Sequence, residues 1–298
     1  MSRRSEAPAK RGSDAGSRPG QNLPDAQALP PAGPGTRRSE APAKLGSEAG
    51  SRPGQNLPDA QALLPAGPGA RRIVAVGGGG FLMDDASLLQ ERYLVSLCRR
   101  PAPRALFVGT ASGDAERAQL EFMKAFGALG CRADTLVFFP FDMRRDYHQA
   151  LLDADLVYVG GGNTPAMLAV WREFGVEPAM RDAYAAGTVF AGISAGANCW
   201  FERYITDSVP GGGVREGLGW LSGTFCPHLD SEAWRQPVLE ASTGPAVGAG
   251  EHVAVCYENE AWHEAVSSAP DGKAVVCRRR STGGLALVAV EPRRLAVA

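Results

Sequence analysis

Between residues 72 and 201 the chain repeats one pattern: a short β-forming run, a small-residue turn, and a stretch with helical spacing. Arg72–Val76 runs into Gly77–Gly80, Arg104–Val108 into Gly109–Gly113, and Asp155–Val159 into Gly160–Gly162. Thr188–Ile193 ends instead on Ser194, set between Gly192 and Gly196. Asp134–Phe139 reads as one more strand. Helices are expected over Ser87–Arg99, Asp114–Gly127, Tyr147–Leu152, the segment through Met167, Leu168 and Trp171, and Glu177–Ala185. Strand and helix in alternation predict an α/β fold, a mostly parallel sheet with helices on both faces. Such sheets bind ligands at the carboxyl ends of their strands, so the glycine-rich edges and Ser194 are expected on one rim.

Past residue 203 the pattern changes. His252–Tyr257, Ala261–Ser267, Lys273–Arg278 and Leu285–Val290 are short β-type segments, expected as a C-terminal β-meander. Positions 1–70 differ from both regions: they hold no aromatic side chain and eleven of the 22 prolines. Arg3–Gly35 recurs as Arg37–Gly69 at a 34-residue period. The period matches some helix-pair repeats, but the apolar periodicity they need is missing. A Pro/Gly/Ala/Ser composition buries too little apolar surface to offset chain ordering, so 1–70 is expected to be a disordered arm. Residues 71–298 are then a single domain.

The arm carries nine basic and six acidic side chains, for a net +3 against −4 in the remainder, and neither value suggests a nucleic-acid surface. No stretch reads as a secretory signal or a membrane span. Six cysteines without C-x-x-C spacing are read as reduced cytoplasmic thiols, and four histidines form no metal motif.

A serine in a strand-to-helix turn has its Oγ lifted above the sheet edge, and small neighbours relieve the strained backbone. That suits a nucleophile; the same pentapeptide also suits a turn that only lets helix and sheet pack closely. A serine nucleophile needs a base and an acid to orient it. Among His148, His228, His252 and His263, His228 is favoured, because it follows a β-type run and Pro227 and comes after the serine in the chain. The acid candidates are Glu202, Asp207, Asp230 and Glu232, with Asp207 preferred and Glu202 kept. Glu202 is eight residues past the serine, about 12 Å along a continuous helix. Ala195 N–H and that of Gly161 or Gly162 are the oxyanion donors expected, since glycine lets the main chain approach a substrate. Asn163 and Thr164 cap the next helix and border the same rim as candidate substrate-binding residues. Arg172, Arg181, Arg203 and Arg215 are candidate carboxylate clamps.

Val159-Gly-Gly-Gly-Asn-Thr-Pro165, Gly192-Ile-Ser-Ala-Gly-Ala197 and Cys226-Pro-His-Leu-Asp230, in that order, resemble the peptidase E family of serine peptidases. Cys199-Trp-Phe-Glu202 and Thr206-Asp-Ser208 are similar to its peptidase E-like branch. The resemblance implies a fold like class I glutamine amidotransferases, with Ser194 as nucleophile, His228 as base and an acidic third member. It implies no metal or cofactor. The expected partner is a small peptide, a dipeptide with an acidic first residue as in the founding members. A homodimer is the candidate assembly, with neither nucleic acid nor membrane as partner. An α/β-hydrolase esterase shares G-x-S-x-G, but the stretch from Ser194 to His228 is too short for the elements that fold places between its serine and histidine. Amidotransferases carry cysteine at the turn, and here Cys199 lies five residues beyond it. A binding module that kept the fold and lost catalysis is the alternative from another class.

Overall fold

The structure, a computed structural model, describes residues 69–83, 87–139, 145–279 and 285–296. The expected arm lies, through residue 68, outside the described residues. The strands in chain order are β1 (Arg72–Val76), β2 (Arg104–Val108), β3 (Arg132–Leu136), β4 (Leu156–Val159), β5 (Val189–Ile193), β6 (Phe201–Thr206) and β7 (Gly213–Glu216). They continue with β8 (Leu221–Cys226), β9 (Ala246–Ala249), β10 (Val253–Glu258), β11 (Ala261–Ser267), β12 (Ala274–Arg279), β13 (Leu285–Val290) and β14 (Arg293–Arg294). The helices are α1 (Leu89–Ser96), α2 (Glu116–Ala128), α3 (Tyr147–Asp153), α4 (Thr164–Glu173), α5 (Val176–Ala186), α6 (Ala195–Asn198) and α7 (Arg235–Glu240).

Five strands form the expected parallel core in the order β3-β2-β4-β5-β1. Successive side chains of a strand face opposite ways, and here both faces are covered. Val74, Val76, Phe107 and Tyr158 pack under α1 and α2 with Tyr93, Leu94, Phe122 and Phe126. Ile73, Leu106, Val159 and Phe190 face the other side, toward Met167, Trp171 and Met180 of α4 and α5. The same cluster takes in Phe201, Tyr204 and Phe225 of a second sheet. That sheet, ordered β13-β12-β9-β8-β6-β7, has six strands.

The C-terminal segments lie close to where the sequence placed them, yet they divide between the sheets. The hairpin β10–β11 extends the first sheet antiparallel to β1, whereas β12–β13 joins the second beside β9. The helix after Ser194 is also shorter than expected. It is one turn, because buried Trp200 and Phe201 swing the chain into β6 and the second sheet. Glu202 is therefore on a strand, pointing outward, and not two turns along a helix. Among the described residues no helix is long and apolar enough to cross a membrane.

Asp114, at a positive φ of 56°, ties two strand ends together: its carboxylate accepts the N–H groups of Phe138 and Phe139 beyond β3. Phe122 stacks on Phe126 and Phe107 at centroid distances of 4.3 and 5.1 Å and is fully buried. Removing a buried ring of this kind typically costs about 3–5 kcal/mol. Phe122→Ala is expected to lower the unfolding free energy by that amount in urea titrations.

Candidate active site

Ser194 ends β5, between β4 and β1, with φ 53° and ψ −109°. A residue with a Cβ avoids that region, so the surroundings must hold it there. Its N–H donates to Val76 O at the end of β1, and its carbonyl accepts from Ala197 and Asn198 of α6. The flanking glycines serve the same turn. A methyl group on Gly192 would collide with Gly196 O, and one on Gly196 with Val159 O. The two small residues are thus required by strand–helix contact, and the half-buried hydroxyl at the cleft follows from the turn they permit.

His228 comes from the other sheet. It follows β8 and Pro227, takes φ 54°, and its N–H reaches Gly77 O at 3.3 Å. Its Nε2 is 2.8 Å from Ser194 Oγ. Its Nδ1 is 2.6 Å from Glu251 Oε1. A carboxylate only accepts, so the Nδ1 of a neutral imidazole carries the proton, and Nε2 is left to accept from the serine hydroxyl. Glu251 lies in the turn by which the chain crosses from β9 in one sheet to β10 in the other. The Asp230 carboxylate accepts the Glu251 N–H at 2.8 Å, and Ser231 Oγ donates to Glu251 Oε1 at 3.0 Å. Hydrogen bonding from His228 holds the Glu251 carboxyl below the usual carboxylate range, against an opposing desolvation effect.

Glu251 is outside the acids that the sequence suggests, and the preferred ones sit elsewhere. Asp207 does return to the rim after β6, but it pairs with Arg235 at 3.4 Å and does not meet His228. Glu202, carried off by the early strand, accepts the Gly223 N–H at 2.9 Å. Asp230 supports the turn of Glu251, and Glu232 pairs with Arg235. A signal is present in the glycines. A side chain at Gly77 would strike the carbonyls of Ala249 and Gly250, one at Gly78 the Glu251 carboxylate, and one at Gly79 the His252 ring. The run Gly77–Gly79 is thus a bed for the turn that carries Glu251, and its counterpart is the small-residue run Gly248-Ala-Gly250. His148 faces Asp182 on the surface, and His263 faces Glu258.

Beside the serine lies a polar cleft of about 100 Å³, bordered by Ala195, Gly162, Thr164, Asn198, Asp207 and Arg235 among others. Ala195 N–H is the first of α6 and has no acceptor within its helix. A Cβ on Gly161 would stand 3.5 Å from Ser194 Cβ, so this main chain abuts the serine. Gly162 has φ 138°, and a methyl group there would strike Ala111 O. Asn163 caps α4 through the Ala166 N–H at 2.9 Å and donates to Ser208 O at 2.9 Å. Thr164 is fully buried and receives Asn198 Nδ2 at 3.4 Å. Arg172, Arg181, Arg203 and Arg215 do not border the cleft; Arg181 pairs with Glu177 and lies over Trp220. The cleft's guanidinium is Arg235, with a side chain 4% exposed, which nothing in the sequence singles out. Among the described residues no three His, Cys, Asp or Glu side chains gather as a metal site.

The profile of peptidase family S51 matches residues 73–265. The Bacillus subtilis (strain 168) protein called uncharacterized peptidase YgaJ is 37% identical over 207 residues, covering 68% of this chain and 90% of its own. A peptidase from an acI-B1 actinobacterium superposes with a TM-score of 0.59 at 18% identity, over 75% of this chain and 95% of that one. A Listeria monocytogenes EGD-e protein described as a candidate peptidase E gives 0.52 at 15% identity, over 67% and 100% of the two chains. At these identities the two structures speak for the fold, which is the α/β architecture described above. The profile and the Bacillus relative speak for descent: the chain belongs to peptidase family S51.

Proposed function

We propose that the protein is a serine peptidase of small peptides, with Ser194 as nucleophile, His228 as general base and acid, and Glu251 as the carboxylate that orients the base. The observation that supports this is the unbroken hydrogen-bond chain from Ser194 Oγ through the imidazole to Glu251, with contacts of 2.8 and 2.6 Å. His228 Nε2 takes the hydroxyl proton as Oγ attacks the scissile carbonyl. Glu251 holds the Nδ1–H tautomer and stabilises the imidazolium that forms. The oxyanion falls to the N–H of Ala195 and that of Gly161 or Gly162, on a main chain already close to the serine. His228 then protonates the leaving amine. In the second half it draws a proton from water, whose oxygen hydrolyses the acyl-enzyme.

The small volume of the cleft favours one residue ahead of the cut. An acidic first residue would find Arg235 there for its side chain. The substrate proposed is therefore a dipeptide headed by aspartate or glutamate, and turnover of Asp-, Glu- and neutral-headed dipeptides compares the classes directly.

A fluorophosphonate probe is expected to label the wild type and not Ser194→Ala; a label that persists in the mutant would remove the nucleophile. Glu251→Gln leaves an amide opposite Nδ1 and permits the wrong tautomer. Losing the orienting carboxylate of such a triad typically lowers kcat about 10⁴-fold, and a loss of at least about 10²-fold is expected here. Glu202→Gln should leave the rate unchanged.

The depressed Glu251 pKa also has a signature in stability. Its contribution is complete above the unfolded carboxyl value of about 4.3 and is lost as pH falls through the lower folded value. Thermal melts across the acid range should therefore show a shallower decline for Glu251→Gln than for the wild type.

A further inference from the structure

Three glycines follow β4, and glycine restricts the direction of its own backbone least, so whatever aims their N–H groups must act from outside. The groups at issue belong to Gly161 and Gly162, beside Ser194; among the described residues they donate to no acceptor. On one side the chain is fixed at Gly160, whose N–H donates to Val108 O at 3.0 Å. On the other side the peptide joining Gly162 to Asn163 is held at both ends. Its N–H, from Asn163, donates to Ala111 O at 2.8 Å. Its carbonyl, that of Gly162, accepts the Ser208 hydroxyl at 3.3 Å. Two peptide planes lie between these anchors, and they carry the two free N–H groups.

Ser208 grips the same segment a second time, because its carbonyl accepts Asn163 Nδ2 at 2.9 Å. It belongs to the loop that joins β6 to β7 in the second sheet, and that loop is braced from within. The Ser208 N–H donates to Oγ1 of buried Thr206 at 3.1 Å, and the Gly212 N–H to Val209 O at 3.0 Å. We propose that Ser208 is a positioning residue of the oxyanion site, its hydroxyl on Gly162 O keeping the Gly161 and Gly162 N–H groups turned toward the serine. This rests on the hydrolase reading above and deepens it. A donor aimed where negative charge develops acts in the transition state and not on the bound substrate. Losing its aim therefore lowers kcat and spares KM, whereas a hydroxyl that gripped the substrate would act through KM.

The test uses the full chain, with active sites counted by fluorophosphonate labelling of Ser194 to completion. Its probes are the dipeptide that wild type cleaves best and an α-aminoboronic acid, whose tetrahedral adduct on Ser194 sets an oxygen against the same N–H groups. Removing an oxyanion donor outright typically costs about 10²–10³-fold in kcat. Ser208→Ala leaves the donors present but loose, so kcat per labelled site is expected to fall at least about tenfold. KM should stay within about twofold, and boronate affinity should weaken by about the factor that kcat loses. Ser208→Thr, which keeps the hydroxyl, should recover most of the rate. A merely structural role would lower the labelled fraction or the melting temperature and leave kcat per site intact, which overturns the proposal. A loss confined to KM overturns it too, as does a Ser208→Thr no faster than Ser208→Ala. Should wild type label but cleave no dipeptide, the boronate decides: weaker binding by Ser208→Ala supports the proposal and equal binding overturns it. Failure of wild type to label removes the peptidase reading itself.

Discussion

Everything at the site depends on main chain meeting main chain where the two sheets join. The serine belongs to the end of β5 in one sheet, the histidine to the end of β8 in the other, and the acid to the turn that crosses between them. Hydrogen bonds of 2.6 and 2.8 Å across such a seam tolerate little slack. The slack is removed by absent side chains. The beds at Gly77 and Gly78 admit the 249–251 turn, and Gly192 and Gly196 admit α6 against β4 and β5. The cross-ties His228 N–H to Gly77 O and His252 N–H to Gly78 O then fasten both imported segments to the end of β1.

Backbone strain is present at the same place. Ser194, His228 and His252 all have positive φ, although none is glycine. Each sits where a strand or turn hands its side chain to the seam, and each is pinned by backbone bonds on at least one side. Such conformations persist only when the surroundings over-determine them. Here the surroundings are two sheets that share one large buried cluster, with the stacked pair Phe201–Phe225 inside it.

The parallel core and the serine turn were legible in the chain because they are local: a run of β residues, a glycine pair and a spacing carry them. The pairing of Ser194 with His228 was also legible, since both end strands and both lie beside small or rigid residues. Glu251 was not. It is brought to His228 by the crossing of β9 to β10 between sheets, and no local periodicity records which sheet a short strand joins. The candidates near the histidine failed for concrete reasons. Trp200 and Phe201 turned the chain early and removed Glu202, while buried Arg235 attracted Glu232 and Asp207. Arg235 itself was hidden among exposed arginines of similar sequence context, and only its burial sets it apart.

The late position of the acid has a consequence for synthesis. A ribosome-bound chain that ends at Gly250 already contains the hydroxyl and the imidazole, but not the carboxylate that accepts the hydrogen bond of the ring's Nδ1–H. Completion waits for β10 to slot beside β1, the earliest strand of the domain to leave the ribosome. A nascent copy, or one clipped before Glu251, therefore lacks the carboxylate end of this hydrogen-bond chain, which forms together with the pairing of β10 and β1 in the central sheet.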